Sequence, residues 1–301
     1  MVSDTTSSLY RFTFFAMAAE NEVQVYAEDP AQAERAANAA IAEVKRIEAK
    51  YSRYLDYSVV SRINAQAGGA PVKVDEETLA LLAFADACYR QSEGLFDATS
   101  GVLRRAWNFK EPRVPAQAEL DAILPLVGWD KVEISNAHVR LARPGMQLDF
   151  GGFGKEYAVD RAARVMSDQG VESALVNLAG DLAILGSQPG AAPWRVGIKH
   201  PRRDDKLLAT LPVDSGAIAT SGDYERFIEV DGVRHCHVLD PRTGRLARGL
   251  QAVTVQATAC TMAGSITTIA MLKGRDGPAW LDEMGAKYLA VADDGTVIDR
   301  F

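Results

Sequence analysis

The apolar positions of this chain change period along its length, and the change predicts a protein of mixed helices and strands. Residues 21–27 alternate, with Val23, Val25 and Ala27 on one face, as a half-buried strand does. Pro30 then opens an alanine-rich run in which Ala37, Ile41, Val44, Ile47 and Tyr51 recur at helical spacing. A second helix is expected from an Asp75 N-cap to Gly94, a third from Gly154 to Gly170, and a fourth from Thr261 to Lys273 before Gly274. Short β-like runs occupy 173–178, 182–185, 194–198, 209–213, 225–230, 234–239 and 252–256. Two of these make a hairpin across Asp231-Gly232, a pair suited to a type I′ turn. Strands and helices do not alternate strictly, which argues against a doubly wound parallel sheet. The expected class is α+β, with mixed and antiparallel sheets and packed helices. Pro112, Pro115 and Pro125 lie in a polar stretch that can join two lobes; otherwise residues 1–301 read as one domain.

Composition narrows the function classes. A chain of 301 residues that is 48% hydrophobic can bury a substantial core. Its net charge of −7 disfavours a nucleic-acid or anionic-membrane surface. Cys88, Cys236 and Cys260 are odd in number and widely spaced, so free buried thiols are expected rather than a disulfide framework. The first residues lack a basic stretch followed by a long apolar one, and no transmembrane span is expected. The chain as written reads as cytoplasmic, or periplasmic if an export leader once preceded it.

Three segments can carry chemistry. In Asp149-Phe150-Gly151-Gly152-Phe153-Gly154-Lys155, three glycines let the backbone approach a ligand, and a helix starts directly after them. Free N–H groups and the positive end of the helix dipole there favour a phosphate, and Lys155 adds a charge. The spacing fits neither a Walker A loop nor a dinucleotide fingerprint, and a plain strand-to-helix turn fits it equally. In His235-Cys236-His237-Val238-Leu239-Asp240, a strand would place His235 and His237 on one face, with Asp240 able to orient an imidazole or accept a proton. A metal reading lacks a third ligand, and an ordinary strand ending in a Pro turn is the alternative. Thr220-Ser221-Gly222-Asp223-Tyr224 reads as a turn, either ligand-binding or plain. Gly94–Thr99 and Tyr51–Tyr54 are ambiguous in the same way.

Taken in order, these segments resemble the FAD:protein FMN transferases, the ApbE family. The likeness is clearest in LDFGGFGKEYAVDRA at 148–162, ATSGDYERF at 219–227 and HVLDPRTG at 237–244. It extends to an early Met17 on a strand, Ser52-Arg53-Tyr54, Ser61-Arg62-Ile63-Asn64, EGLFDATSG at 93–101 and VNLAGDLAILG at 176–186. The resemblance implies an ApbE-like, two-lobed single fold. It implies cleavage of FAD, with Mg²⁺ as helper, and transfer of the FMN half to a Thr or Ser of a target protein. An FAD pyrophosphatase and a silent FAD-binding protein are the alternatives. By the resemblance, His237, Asp240 and Lys155 are the catalytic candidates. Met17, Tyr54, Asp97, Thr99, Asp181, Thr220, Ser221 and Tyr224 would contact the nucleotide. The carbonyl near Gly152 and the Thr268 hydroxyl would hold the metal. Three positions depart from the pattern: Gly264 stands where the family has a metal-binding Asp, Glu156 where it has Gly, and Cys236 where it has His. A weakly held Mg²⁺ is therefore expected, unless Asp149 or Glu156 supplies the missing acid.

Overall fold

The alternating run after residue 20 forms the second arm of an N-terminal hairpin. In the computed structural model, which describes residues 7–109, 113–224, 227–230 and 232–301, strand β1 (Ser8–Ala16) pairs with β2 (Ala19–Ala27), and Val23, Val25 and Ala27 are buried as their alternation requires. Met17 does not lie on a strand. It and Ala18 form the two-residue turn, both with positive φ, and the Met17 N–H donates to Glu48 Oε1 at 2.7 Å. Helix α1 (Pro30–Tyr51) follows, its Asp29 side chain accepting from the Ala31 N–H and Pro30 preset for the first turn. Then come α2 (Val59–Ala65), β3 (Val72–Lys73), α3 (Glu76–Gln91) capped by Asp75, α4 (Gln117–Ile123), β4 (Val132–Ser135) and β5 (His138–Leu141).

The second half begins with α5 (Gly154–Asp168), then β6 (Ala174–Leu178), β7 (Asp181–Leu185), β8 (Trp194–His200), β9 (Arg203–Val213) and β10 (Gly216–Gly222). It continues with β11 (Phe227–Val230), β12 (Val233–Cys236), β13 (Leu250–Ala257), α6 (Cys260–Lys273), α7 (Gly277–Glu283), β14 (Lys287–Ala292) and β15 (Val297–Asp299). Strands β11 and β12 pair as the expected hairpin; its turn residue Asp231, along with Glu225, Arg226 and Pro112, lies outside the described residues.

One eight-stranded antiparallel sheet organises the molecule, in the order β1-β2-β6-β7-β10-β13-β14-β15. Its first face carries α1, α5 and α6. Alanines at the α1–α5 contact (Ala33, Ala36, Ala37 and Ala40 against Ala158, Ala162 and Ala163) let the two helices lie close together. Its second face is covered by the β8–β9 ribbon through Trp194, Val196, Ile198 and Leu211. All three cysteines are free and buried. Among the described residues no helix is long and apolar enough to cross a membrane.

A carboxylate fastens three of the helices. Glu77 of α3 accepts from both Arg46 terminal nitrogens (2.7 and 2.9 Å) and from Lys50 Nζ on α1, and from the Tyr157 hydroxyl (2.8 Å) on α5. The Arg46 guanidinium, followed by Lys50 and Tyr157, outweighs partial burial and holds the Glu77 carboxyl well below the usual carboxylate range. A depressed native pKa adds stability above the unfolded value of about 4.3, and that stability is lost as pH falls toward the native pKa. Glu77→Gln is expected to cost about 1 kcal/mol at pH 7. Urea unfolding of both proteins should show the gap closing below about pH 4; a gap independent of pH would show that the charge is not what matters.

Candidate active site

The site is built where the N-terminus of α5 meets α6, β7 and β10. The chain reaches it through a tight turn. Phe153 and Gly154 N–H groups donate to the Phe150 carbonyl at 3.0 and 2.6 Å, and Asp149 Oδ1 accepts from the Gly151 N–H at 2.8 Å. Gly152 relieves crowding: a Cβ there would stand 3.0 Å from the Phe96 ring, which would have to give way. Asp149 is itself held by Arg53, whose Nη1 donates to Asp149 Oδ2 at 2.8 Å and to the Gly101 carbonyl at 2.9 Å. The α5 N-terminus, its Phe153 and Gly154 N–H groups turned back onto Phe150, thus stands beside the Lys155 ammonium, and the positive end of the helix with that charge suits an anion.

Lys155 and Asp181, given separate parts by the sequence, form an ion pair at 2.6 Å. The Asp181 side chain is 4% exposed, and its Oδ1 also accepts from the Thr220 N–H at 3.3 Å. Burial disfavours the Lys155 ammonium, but the Asp181 and Glu156 carboxylates outweigh it and hold its pKa above the ordinary value. Glu156 is almost wholly buried. Desolvation first, then the Asp181 charge, push its carboxyl above the usual range, and its Oε2 has no hydrogen-bond partner.

Helix α6 is set against α5 by an element the sequence quoted without a role. Asp160 of α5 accepts from the Cys260 N–H (2.7 Å), the Thr261 N–H (2.8 Å) and the Thr261 hydroxyl (2.6 Å). It caps α6, whose own Ala259 offers no side-chain cap. That sets Gly264 against Glu156 of α5, and Thr267 and Thr268 beside β10. Ser221 Oγ lies 2.8 Å from Thr267 Oγ1 and 3.4 Å from Thr268 Oγ1.

Several expectations are corrected. Residues 220–222 are not a turn but the end of β10, a central strand paired with β7 and β13. Strand alternation therefore splits the expected group. Ser221 faces α6, whereas Thr220 faces the ribbon side, where its hydroxyl lies 2.9 Å from that of Thr254. Tyr224 packs against the ribbon-side cluster, its ring lying over Gly222. Asp97 and Thr99 are buried and bonded within the protein: Asp97 Oδ1 accepts from the Thr99 N–H and hydroxyl, Asp97 Oδ2 from the Trp129 N–H, and Thr99 Oγ1 from the Gly128 N–H. Tyr54 is 74% exposed beside Arg53, free to stack on a planar ring.

The two histidines do not share a strand face. Strand β12 stops at Cys236. His235 is buried against the Trp107 ring with its Nδ1 unpartnered, and burial, with the nearby Arg248 charge, lowers its pKa. His237 lies past the strand end and is half-buried. Asp240 does not stand open beside it: Arg242 donates to both Asp240 oxygens through Nε (3.1 Å), Nη2 (3.0 Å) and its N–H (2.9 Å). Along α6, one turn beyond Thr268, Leu272 and Lys273 line a hollow of about 200 Å³ with Ser92, Glu93, Leu95, Arg242 and Asp276.

Residues 17–290 match the ApbE family. The chain is 30% identical over 292 residues to the FAD:protein FMN transferase of Rhodobacter capsulatus, covering 95% of this chain but 56% of that protein. It is likewise 30% identical to the FAD:protein FMN transferase of Vibrio cholerae, over 84% of this chain and 78% of that one. The crystal structure of the ApbE protein of Thermotoga maritima superposes with a TM-score of 0.88 at 35% identity, covering 97% of both chains. The chain belongs to the ApbE family.

Proposed function

We propose that this protein is an FAD:protein FMN transferase, which cleaves FAD and attaches FMN to a Thr or Ser hydroxyl of a target protein with release of AMP. The observation that carries this reading is the junction of the α5 glycine turn with the Lys155–Asp181 pair, in a chain that keeps the family's motifs in order from residue 17 to 290. A diphosphate needs N–H groups and cations, and the α5 N-terminus with Lys155 offers both. The acceptor hydroxyl oxygen attacks the FMN-side phosphorus, the bond from that phosphorus to the bridging oxygen breaks, and AMP leaves with the bridging oxygen. His237 is the candidate to take the hydroxyl proton. Asp240, three residues on, is the candidate to act with it, although its carboxylate is held by Arg242. Tyr54 is the candidate for stacking on a ring of the nucleotide.

The resemblance implies Mg²⁺, and the donors suit such an ion. The orphaned, buried Glu156 oxygen and the Thr268 hydroxyl are hard oxygen ligands of the kind it takes, and a carbonyl near Gly152 would join them. When bound, it supplies positive charge against the phosphate oxygens. Export to the periplasm belongs to this reading only if a leader precedes the chain.

The test is incubation with FAD, Mg²⁺ and a flavin-acceptor domain. A mass gain on the acceptor equal to FMN, fluorescent in a denaturing gel, is the expected result. FMN and AMP without a labelled acceptor would mark a pyrophosphatase instead. Riboflavin, which lacks the diphosphate, is expected to bind at least about tenfold more weakly than FAD; equal affinity in a titration would remove the phosphate role from the α5 turn.

A further inference from the structure

Two of the departures from the family pattern meet in space. A Cβ built on Gly264 would lie 2.5 Å from Glu156 Cγ, 2.8 Å from Oε1 and 2.9 Å from Cδ. The Glu156 side chain therefore fills the volume in which a residue at 264 would begin. Where the pattern has glycine at 156 and an acid at 264, this chain has the acid at 156 and glycine at 264. Glu156 fits in this place only because position 264 has no side chain.

We propose that Glu156 is the carboxylate ligand of the divalent cation, its acid carried on α5 and reaching across Gly264 to the place an α6 side chain would otherwise occupy. The identity of the ion rests on the transferase reading; the ligand assignment rests on three features of this chain. First, Oε2 of Glu156 is buried and unpartnered, in a residue only 8% exposed. A buried carboxylate oxygen left without a donor is costly, and a cation supplies what is missing. Second, two carboxyl groups, Glu156 and Asp181, have a single ammonium, Lys155, as neighbour, and that ammonium is paired with Asp181 at 2.6 Å. Third, uncharged oxygen donors continue along α6 from Gly264: Thr268 is one turn on, and its hydroxyl lies 3.4 Å from that of Ser221 on β10. Among the described residues no three His, Cys, Asp or Glu side chains form a metal cluster. That fits an ion of the Mg²⁺ type, which takes one or two carboxylates and completes its shell with water and substrate phosphates. Asp149, the other acid near the turn, is already committed to Arg53 and the Gly151 N–H.

The exchange makes a specific experiment possible. Mn²⁺, as an EPR-visible probe, is titrated into the whole protein without nucleotide, and melting is followed with and without the ion. The parent is expected to bind one Mn²⁺ and to melt higher with it. Glu156→Gln should weaken binding by about 10–100-fold and abolish the Mn²⁺-induced rise, without lowering the melting temperature of the metal-free protein. Gly264→Asp alone should bind no tighter than the parent and melt lower, because its Cβ collides with Glu156. The double exchange Glu156→Gly with Gly264→Asp should return Mn²⁺ affinity to within about threefold of the parent. Undiminished binding in Glu156→Gln, no binding by the parent at millimolar Mn²⁺, or a folded double exchange that fails to recover would each overturn the proposal. Should Glu156→Gln not fold, Glu156→Asp shortens the same ligand, and unaltered binding there is equally fatal. Because FAD is absent throughout, Mn²⁺ binding that depends on Glu156 in a protein without transfer activity would sink the transferase reading and leave this assignment standing.

Discussion

Replacing His237 by alanine is expected to lower FMN transfer by about 10²–10⁴-fold while FAD affinity stays within about threefold of the parent. The contrast follows from where the two histidines sit. His235 is the more buried, packed on Trp107, and its environment favours the neutral ring. His237 lies just past the end of β12, at the head of a loop closed by the Asp240 N–H to the Arg245 carbonyl (2.7 Å) and the Gly244 N–H to the Asp240 carbonyl (2.8 Å). A half-buried imidazole on a braced loop can meet a hydroxyl from another protein; one packed under an indole cannot. A base that acts on the acceptor proton contributes to the transition state and little to nucleotide binding, which is why turnover and affinity should separate. His235→Ala is the matched control, expected to cost stability and leave turnover within about tenfold. Single-turnover transfer and FAD titration on both variants decide the matter. Parallel loss of binding and turnover in His237→Ala would make it a positioning residue.

Lys155→Met should be the most destabilising single change near the site. It removes the cation from Asp181 and leaves two neighbouring carboxylates in a poorly solvated place. Orphaning one partner of a buried ion pair costs about 3–5 kcal/mol. The lower end, about 3 kcal/mol, is expected because 32% of the Lys155 side chain is reached by water. The sign of the pH dependence is fixed by the same argument. Without the ammonium, the Glu156 carboxyl, already held above its ordinary value by burial and the Asp181 charge, is pushed further up. The deficit should therefore be small in acid, where the carboxyls are protonated, and grow as pH rises and they are asked to ionise without their cation. Denaturant unfolding at several pH values tests this; a deficit that shrinks toward high pH would contradict it. Retained FAD affinity in the same variant would separate Lys155 from the diphosphate.

What the sequence disclosed and what it hid follow from the range of the signals. Helices α1, α3, α5 and α6 were legible because their apolar spacing, caps and terminal glycines are local. Strand β10 was not. Its run Gly-Ala-Ile-Ala-Thr-Ser-Gly is covered on both faces, so it lacks alternation, and its small hydroxyl residues mimic a turn. That one misreading grouped Thr220 and Tyr224 with Ser221, although the sheet divides them. The buried roles of Asp97 and Thr99 were equally hidden, since their partners Gly128 and Trp129 lie some thirty residues away. The Lys155–Asp181 pair and the Asp160 cap on α6 are also long-range contacts, which periodicity cannot report. The fit between Glu156 and Gly264 left one trace in the sequence: two departures from a single pattern, which become intelligible only when considered together.

The order of the main sheet has a consequence for how the protein is made. From β6 onward its successive members follow one another in the chain, but β2 pairs with β6, setting Val23 opposite Val176. While the ribosome works toward the C-terminus, the β1–β2 hairpin exists long before its neighbour. At about 5–20 residues per second, that interval is roughly 8–30 s. Helix α1 can dock on the hairpin meanwhile and shield the face bearing Val23 and Val25. It cannot satisfy the row of N–H and C=O groups along the free side of β2, which until β6 emerges is an open template for any extended chain nearby. The seam between β2 and β6 is thus the place where the nascent protein is most exposed to mispairing, and the one at which a chaperone would have most to protect.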